Sequence, residues 1–520
     1  MSDFVNDEVL AFDHQPRRSP LASRALWSAM LQTLPQIYTL VQSVVAARVL
    51  GPNDMGRQSF IAFVALTVNL FVTGGLPAIL SRQVGELVGS RRREALRALS
   101  RWALRTQSVL ALIGAGFVAA IGLFRSDLVG AWIFAALACG FAVLHTAPYS
   151  VLVGTQRWRQ AATLGLCLGG FGTAATVAVL LLGGGITGMF AIESVVAALS
   201  FFITVRLAAA ATGESDTGEP VDAEEFAAVR RKVLHLAVPM TALIAIEIVV
   251  WRRSEFFLLE RYGTATQLAQ YSIAFAVANA VTRIPQGLVA VLAPAVATMY
   301  GADDHAQIRA SFSRAIRLVA LLLLPMLAGS LSVGPSLLGL VYGPEYRAAQ
   351  SVLVILLLGF PMVPLASLAM SVLEGMGLIR RALLATAVAA VVDVSVALTL
   401  IPSMGERGAA WANVAAQLAA GTMLLALAIN AVGGADVAVG RIVRAAVAAG
   451  LGGIAADAID THLAAPALAR IVVAVVVGGA VFLTALRVLR GVAPDDGRWL
   501  VQNTPGRVAR GVRWYVAPFQ

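Results

Sequence analysis

Apolar runs of about bilayer length follow one another along almost the whole chain, and that pattern leaves few folds open. Fourteen can be counted: 25–47, 58–80, 102–124, 129–152, 161–182, 186–208, 233–258, 268–297, 315–340, 350–373, 382–402, 408–431, 442–458 and 464–486. A hydrocarbon core of ~30 Å needs about 20 apolar residues per helix. Only helices or closed barrels satisfy their own backbone inside it. The sequence therefore predicts an all-α polytopic membrane protein with about 14 transmembrane helices. Hydrophobic residues make up 58% of the chain, which excludes an ordinary soluble domain.

The charged residues sit between the runs. Net charge is +10 and nearly all the positive charge is arginine, Lys232 being the single lysine. In a soluble protein such a balance would suggest nucleic acid. Here it fits the arginine bias of cytoplasmic loops facing anionic lipid, so no nucleic-acid partner is expected. Arg82, Arg91, Arg92, Arg93, Arg97 and Arg101 follow the second run, and Arg230, Arg231 and Lys232 precede the seventh. Opposite loops are short and balanced, as in Arg125 with Asp127 and Glu406 with Arg407. An even number of spans then puts both termini on the cytoplasmic side of the cytoplasmic (inner) membrane. Cys139 and Cys167 lie in apolar runs, which argues against a disulfide framework, and the polar first 20 residues show no cleavable signal.

The chain also repeats itself. With a shift of 212, Gly263, Gln270, Ile273, Ala274, Phe275, Gly287 and Leu288 fall on Gly51, Gln58, Ile61, Ala62, Phe63, Gly75 and Leu76. Ser150, Gly154 and Arg159 recur as Ser371, Gly375 and Arg380, and Gly185 and Gly188 as Gly405 and Gly408. Six spans separate each pair, so the copies have the same orientation and form two parallel six-helix repeats. The expected organisation is a cytoplasmic segment 1–24, an N-lobe of helices 1–6 over 25–210, and a cytoplasmic linker 211–232. A C-lobe of helices 7–12 follows over 233–431, then two extra helices over 432–488 and a basic cytoplasmic tail 489–520.

Polar groups inside the spans are the candidates for function, because charge in hydrocarbon is costly and is kept facing a partner or water. Arg283 stands near the middle of the eighth run, two residues before Pro285, where an arginine costs roughly 2.5–3.5 kcal/mol on insertion scales. Arg252 and Arg253 lie in the outer part of the seventh run; they either line a cavity or, if the helix stops at Trp251, sit at the interface. Glu247 lies deeper on the same run, Glu193 in the sixth and Asp393 in the eleventh; these carboxylates suit either helix-to-helix hydrogen bonds or an ion or gating role. Gln36 and Asn69 place amides in the first two runs. No phosphate-binding loop, dinucleotide pattern or metal-spaced Cys/His set occurs, so no cofactor, no metal centre and no catalytic residue is expected.

Several stretches resemble the polysaccharide (Wzx-type) flippases of the multidrug/oligosaccharidyl-lipid/polysaccharide (MOP) exporter superfamily. Val341-Tyr342-Gly343-Pro344-Glu345-Tyr346 with Ala348-Ala349 is similar to that family's turn after helix 9. Arg48-Val49-Leu50-Gly51-Pro52 with Asp54 and Gly56, Gly75-Leu76-Pro77, and the loops at Gly154 and Gly375 are similar too. The resemblance covers roughly residues 25–430. It implies N- and C-lobes around a central cavity lined by helices 1, 2, 7 and 8. It also implies alternating-access transfer of a polyprenyl-pyrophosphate-linked oligosaccharide or polysaccharide precursor, not enzymatic catalysis. The implied partners are the lipid-linked glycan, membrane lipids and glycan-assembly enzymes, with the chain itself a monomer. On this reading Arg283, Arg252, Arg253, Gln36 and Asn69 meet the substrate, while Glu247, Glu193 and Asp393 are ion or gating groups. The alternatives are a lipid II flippase, which the absence of a deep arginine in helix 1 disfavours, and a cation-coupled multidrug exporter. A membrane glycosyltransferase or polymerase is disfavoured by the short outer loops. Many family members carry an aspartate where Trp251-Arg252-Arg253-Ser254 stands here.

Overall fold

A computed structural model describes residues 21–90, 92–213, 223–251, 255–289, 296, 299–300 and 304–503. Among them secondary structure is helical throughout, with no strand. The helices are α1 (Leu21–Thr73), α2 (Leu76–Gly89), α3 (Arg93–Arg125), α4 (Val129–Gly154), α5 (Trp158–Leu181) and α6 (Gly185–Thr212). Then come α7 (Ala223–Trp251), α8 (Glu255–Tyr262), α9 (Ala265–Val289), α10 (His305–Tyr342), α11 (Arg347–Gly359) and α12 (Met362–Gly375). The rest are α13 (Ile379–Met404), α14 (Glu406–Ala431), α15 (Val439–His462), α16 (Ala467–Val488) and the short α17 (Pro494–Asn503). Among the described residues, 11 helices are long and apolar enough to cross a membrane. The chain is thus the all-helical polytopic protein that its apolar runs predict, with this measure giving 11 spans where the runs predict fourteen.

Breaks within the helices have identifiable causes. The first two runs merge into α1, which bends at Gly51; its φ of 72° with ψ of 172° is open to glycine and strained for other residues. The next helix restarts after Gly74, with Pro77 in its first turn, where a missing N–H costs nothing. The tenth run divides into α11 and α12 around Phe360 and Pro361. Between the halves, α6 persists to Thr212 and α7 begins at Ala223, so 223–232 is helix where the sequence reads as linker. Residues 214–222 lie outside the described residues.

The sequence repeat is also a repeat of backbone geometry. Gln156, after α4, has φ 62°, and Gly377, 221 positions later, has φ 72°. Gly185 and Gly405, 220 apart, have φ 56° and 55°. Equivalent turns therefore close equivalent helices in the two halves.

The apolar core is asymmetric across the membrane. Towards the arginine-poor face one continuous cluster joins both halves. It runs from Ala46, Phe60 and Phe63 through Trp132 and Phe190 to Phe256, Tyr271, Tyr346 and Leu356. Towards the arginine-rich face the core separates. One cluster packs α2, α3 and α4 with Val229, Val233 and Ala237 of α7. The other packs α9, α10, α12 and α13 around Phe312, Leu368 and Leu373. The apolar core is continuous towards one face and divided towards the other.

Polar contacts reinforce the seal. Arg48 donates to the carbonyls of Val341 (2.7 Å) and Leu340 (2.6 Å), and Tyr346 donates its hydroxyl to Ala47 O at 3.0 Å. The Gln270 amide donates to Glu345 O and accepts from Ala349 N, both at 2.9 Å. Ser59 and Ser272, 213 residues apart, meet at 3.1 Å where the repeats cross. Arg125 pairs with Glu260 at the same face. Gly56 lets α1 approach α9 so closely that an added Cβ would lie 1.8 Å from Ala265 O.

Helices α15 and α16 stand outside the repeat and lean on α10. Ser332 donates to Gly453 O at 2.8 Å, and Asp460 takes Ser336 at 2.5 Å and Arg470 at 3.0 Å. Asp496 of α17 is 3% exposed and accepts a two-pronged bond from Arg317 at 2.6 and 2.7 Å, with Arg314 at 3.7 Å. Within the stretch expected as a basic tail, Asp496 is therefore a structural residue.

The close crossing at Gly56 makes the seal testable. Gly56→Val should force α1 and α9 apart. A cysteine placed at Ser59 should then become reactive to a membrane-impermeant maleimide added from the arginine-poor side. In the Gly56 protein the same cysteine should stay protected.

Candidate substrate cleft and buried carboxylate cluster

The first limb of α1 is thinly packed. Tyr38 rests on Gly169 and Gly170 of α5, and Gln42 donates to Thr173 at 3.3 Å. Gln36, Ile37, Leu40 and Val41 around them are exposed. Gln36 is thus an accessible amide. Asn69, on the second limb, is half-buried and its Nδ2 has no hydrogen-bond partner among the described residues. Glu193 on α6 is exposed. The lipid-type stripe of that helix is Val195, Leu199 and Phe202, all exposed and apolar. Two residues of helix turn through about 200°, so Glu193 is about 160° away from Val195 and off that stripe. A carboxylate there is tolerable when it meets water inside the bundle. None of the described hydrogen bonds joins Gln36, Asn69 and Glu193 to one another.

Arg252 and Arg253 lie outside the described residues, as do the side chains of Arg283 and Glu247. The backbone position of Arg283 is nonetheless informative. On α9 the core-facing stripe is Phe275, Ala278, Thr282, Pro285 and Val289, all buried. Position 283 is offset from it and shares a face with Ala276 and the exposed Ala280. Its counterpart in the first repeat, Phe71, is 46% exposed. The arginine position thus belongs to an open face of its helix.

A second constellation lies on the sealed side, built from residues the sequence scatters. Glu255, the first residue of α8, is 1% exposed. Asn413 of α14 donates Nδ2 to Glu255 Oε1 at 2.8 Å, and Gln417, one turn on, donates to Asn413 Oδ1 at 2.6 Å. Asp393 of α13 is fully buried and within electrostatic reach of Glu255. Tyr271 of α9 also interacts with the Glu255 carboxyl, and Gln417 Oε1 is buried with no hydrogen-bond partner among the described residues. Two carboxylates in so dry a place cannot both keep their charge without a compensating positive charge. A proton or a hard cation would supply that charge. The structure therefore separates the predicted acidic candidates: Asp393 joins this cluster, Glu193 stands apart on α6. Sequence reading missed Glu255, Asn413 and Gln417 as a group. The only local signal was the four-residue spacing of Asn413 and Gln417, which puts both amides on one helix face.

The fold has counterparts among solved structures. The lipid II flippase MurJ in an inward closed conformation superposes with a TM-score of 0.69 at 13% identity, over 89% of this chain and 98% of MurJ. A multidrug resistance MATE family transporter of the MOP superfamily, inward-facing, gives 0.61 at 15%, over 79% of this chain and 98% of that one. A MOP superfamily transporter from Pyrococcus furiosus, described as having a binding pocket of reverse polarity, gives 0.57 at 15%, over 79% and 94%. At such identities the likeness establishes the fold. No curated protein matches the sequence. The sequence pattern of the polysaccharide biosynthesis protein family matches residues 45–351, more than half of the chain. This protein belongs to that family and has the fold of the MurJ and MATE transporters, in keeping with the resemblance noted in its sequence.

The cluster makes a stability prediction. Asn413→Leu removes the donor to Glu255 and leaves a buried carboxylate oxygen stranded, which costs about 1–3 kcal/mol. Thermal unfolding in detergent should report the loss. Asn430→Leu, on the same helix and outside the cluster, should leave the midpoint nearly unchanged.

Proposed function

We propose that this protein is a flippase that carries a polyprenyl-pyrophosphate-linked oligosaccharide or polysaccharide precursor across the cytoplasmic membrane by alternating access. The observation that carries the reading is the divided core, one apolar seal at the arginine-poor face and a cleft towards the arginine-rich one, in a member of a polysaccharide biosynthesis family. A cleft of this kind admits a charged, sugar-bearing head group while the polyprenyl tail stays in lipid. The repeats then act as an N-lobe over 25–210 and a C-lobe over 233–431 that rock about the Ser59–Ser272 crossing. The arginine-rich face is the cytoplasmic one, both termini lie there, and the chain works as a monomer alongside glycan-assembly enzymes.

In this mechanism Arg283 receives the pyrophosphate, helped by Arg252 and Arg253 in the open phase of the cycle. A guanidinium offers a planar fork that matches phosphate oxygens, and a low-dielectric cleft strengthens the pairing. Gln36 and Asn69 supply hydrogen bonds to sugar hydroxyls, and Glu247 and Glu193 contribute to gating. Expected outcomes follow from the charge. Arg283→Ala should lower glycan delivery in cells at least tenfold at unchanged membrane abundance, and Arg283→Lys should restore part of it. Arg380→Ala, an exposed position at the start of α13, should be silent. Wild-type delivery by Arg283→Ala would remove this arginine from the substrate site.

The Glu255–Asp393 cluster supports cation coupling, the element this reading shares with a cation-coupled exporter. A monovalent cation or a proton neutralises the pair in one phase and leaves in the other. Sodium or acidification should raise the melting temperature of the purified protein, and Asp393→Asn should abolish that dependence. A shift that persists in Asp393→Asn would place the ion elsewhere.

A further inference from the structure

The sequence assigns Arg230 and Arg231 to a cytoplasmic loop, where they would only orient the chain. The structure puts them on α7, one turn and more inside a helix that starts at Ala223. One face of this part of α7 is fixed: Val229, Val233 and Ala237 are buried against α2 and α3, and Lys232 reaches Glu86 of α2 at 2.6 Å. The face turned away from that contact carries Ala227, Arg230, Arg231, Leu234, His235 and Val238 and lines a cavity of about 550 Å³. Both arginines and His235 are exposed, and no described ion pair involves Arg230 or Arg231. Leu234 is 43% and Val238 67% exposed on the same stripe.

The order along the stripe is chemical. Two guanidinium groups stand nearer the helix start and two branched aliphatic side chains nearer its middle. From Ala227 to Val238 the helix rises about 16 Å. The cationic end faces the interfacial region at the arginine-rich face and the apolar end points into the bilayer depth. That is the polarity of a lipid with an anionic head: phosphate oxygens forked by Arg230 and Arg231, an N–H from His235, and the chain along Leu234 and Val238. Two adjacent guanidinium groups match two phosphates better than one, because each can take its own pair of oxygens. The stripe is also far from the other end of this helix. Trp251 is twenty residues beyond Arg231 on the same helix, about 30 Å away.

We propose that this groove on α7 is a receiving site for a diphosphate-headed polyprenyl lipid, occupied before the head group moves into the cleft. The proposal rests on the flippase reading for its place in the cycle, though not for the binding itself. Because α7 is fixed to the first half here and runs on towards Glu255, a head group held on it would be carried at the edge of the moving interface.

The test uses the full-length protein in nanodiscs of zwitterionic lipid, with a C55 polyprenyl diphosphate as probe and phosphatidylglycerol as competitor. Wild-type protein should bind the probe saturably. The Arg230→Gln/Arg231→Gln double variant should bind it at least tenfold more weakly while eluting as a single folded species. Arg380→Gln, on an exposed position elsewhere at the same face, should bind as wild type. Unchanged binding by the double variant overturns the proposal. Equal displacement of the probe by phosphatidylglycerol also overturns it, since the groove would then be an ordinary contact for anionic bilayer lipid. Glycan delivery in cells separates this inference from the broader one. A chain that binds the probe through Arg230 and Arg231 yet supports no delivery keeps the groove and loses the flippase reading. Normal delivery and binding in the double variant does the reverse.

Discussion

The crossing of α1 over α9 is the contact on which the rest of the structure depends. Gly56 brings the helices to backbone distance, Ser59 and Ser272 meet there, and Phe63, Phe256, Tyr271 and Phe275 stack around the point. In lipid there is no hydrophobic gain from helix–helix association, so close approach, interlocking aromatic rings and hydrogen bonds must hold the halves together. Arg48 and Gln270 add bonds to backbone carbonyls and an amide that loop residues would otherwise leave unsatisfied. Every one of these contacts lies at the same face. At the other face the contact between the halves is α7 on α2 and α3, and the remaining core of the second half is a separate cluster.

That asymmetry explains where charge is tolerated. Glu193 is exposed off the apolar stripe of its helix. On the sealed side, buried charge is either paired or clustered. Asp460 takes two donors, and Glu255 takes Asn413 while sharing its surroundings with Asp393. Alternating access would exchange these environments as the seal moves from one face to the other.

Much of this architecture was legible in the sequence because bilayer length and arginine placement are strong one-dimensional signals. The repeat was legible too, and the matched φ values at Gly185 and Gly405 give its physical content: the same left-handed turn is needed twice. What the sequence hid was held by tertiary contact. The stretch 223–232 is rich in charge and reads as linker, yet it is helical because Val229 and Val233 pack on α2 and α3. Glu255 and Asn413 are 158 residues apart, so nothing local announces their bond. Asp496 resembles its neighbour Asp495 in sequence, and only the approach of α10 distinguishes a buried clasp on Arg317 from a solvated acid.

The arginines of the seventh and eighth runs show the same limit from another side. Their depth was readable in the sequence, whereas what they bind is not a property that depth alone can fix. The most direct test of the account is therefore transport itself. Purified protein should be reconstituted in proteoliposomes with a fluorescent polyprenyl-diphosphate oligosaccharide, and its transfer between leaflets followed by quenching from outside. The account predicts protein-dependent transfer that fails in Arg283→Ala. Transfer no faster than in protein-free liposomes, with folded protein and a bound substrate, would contradict it.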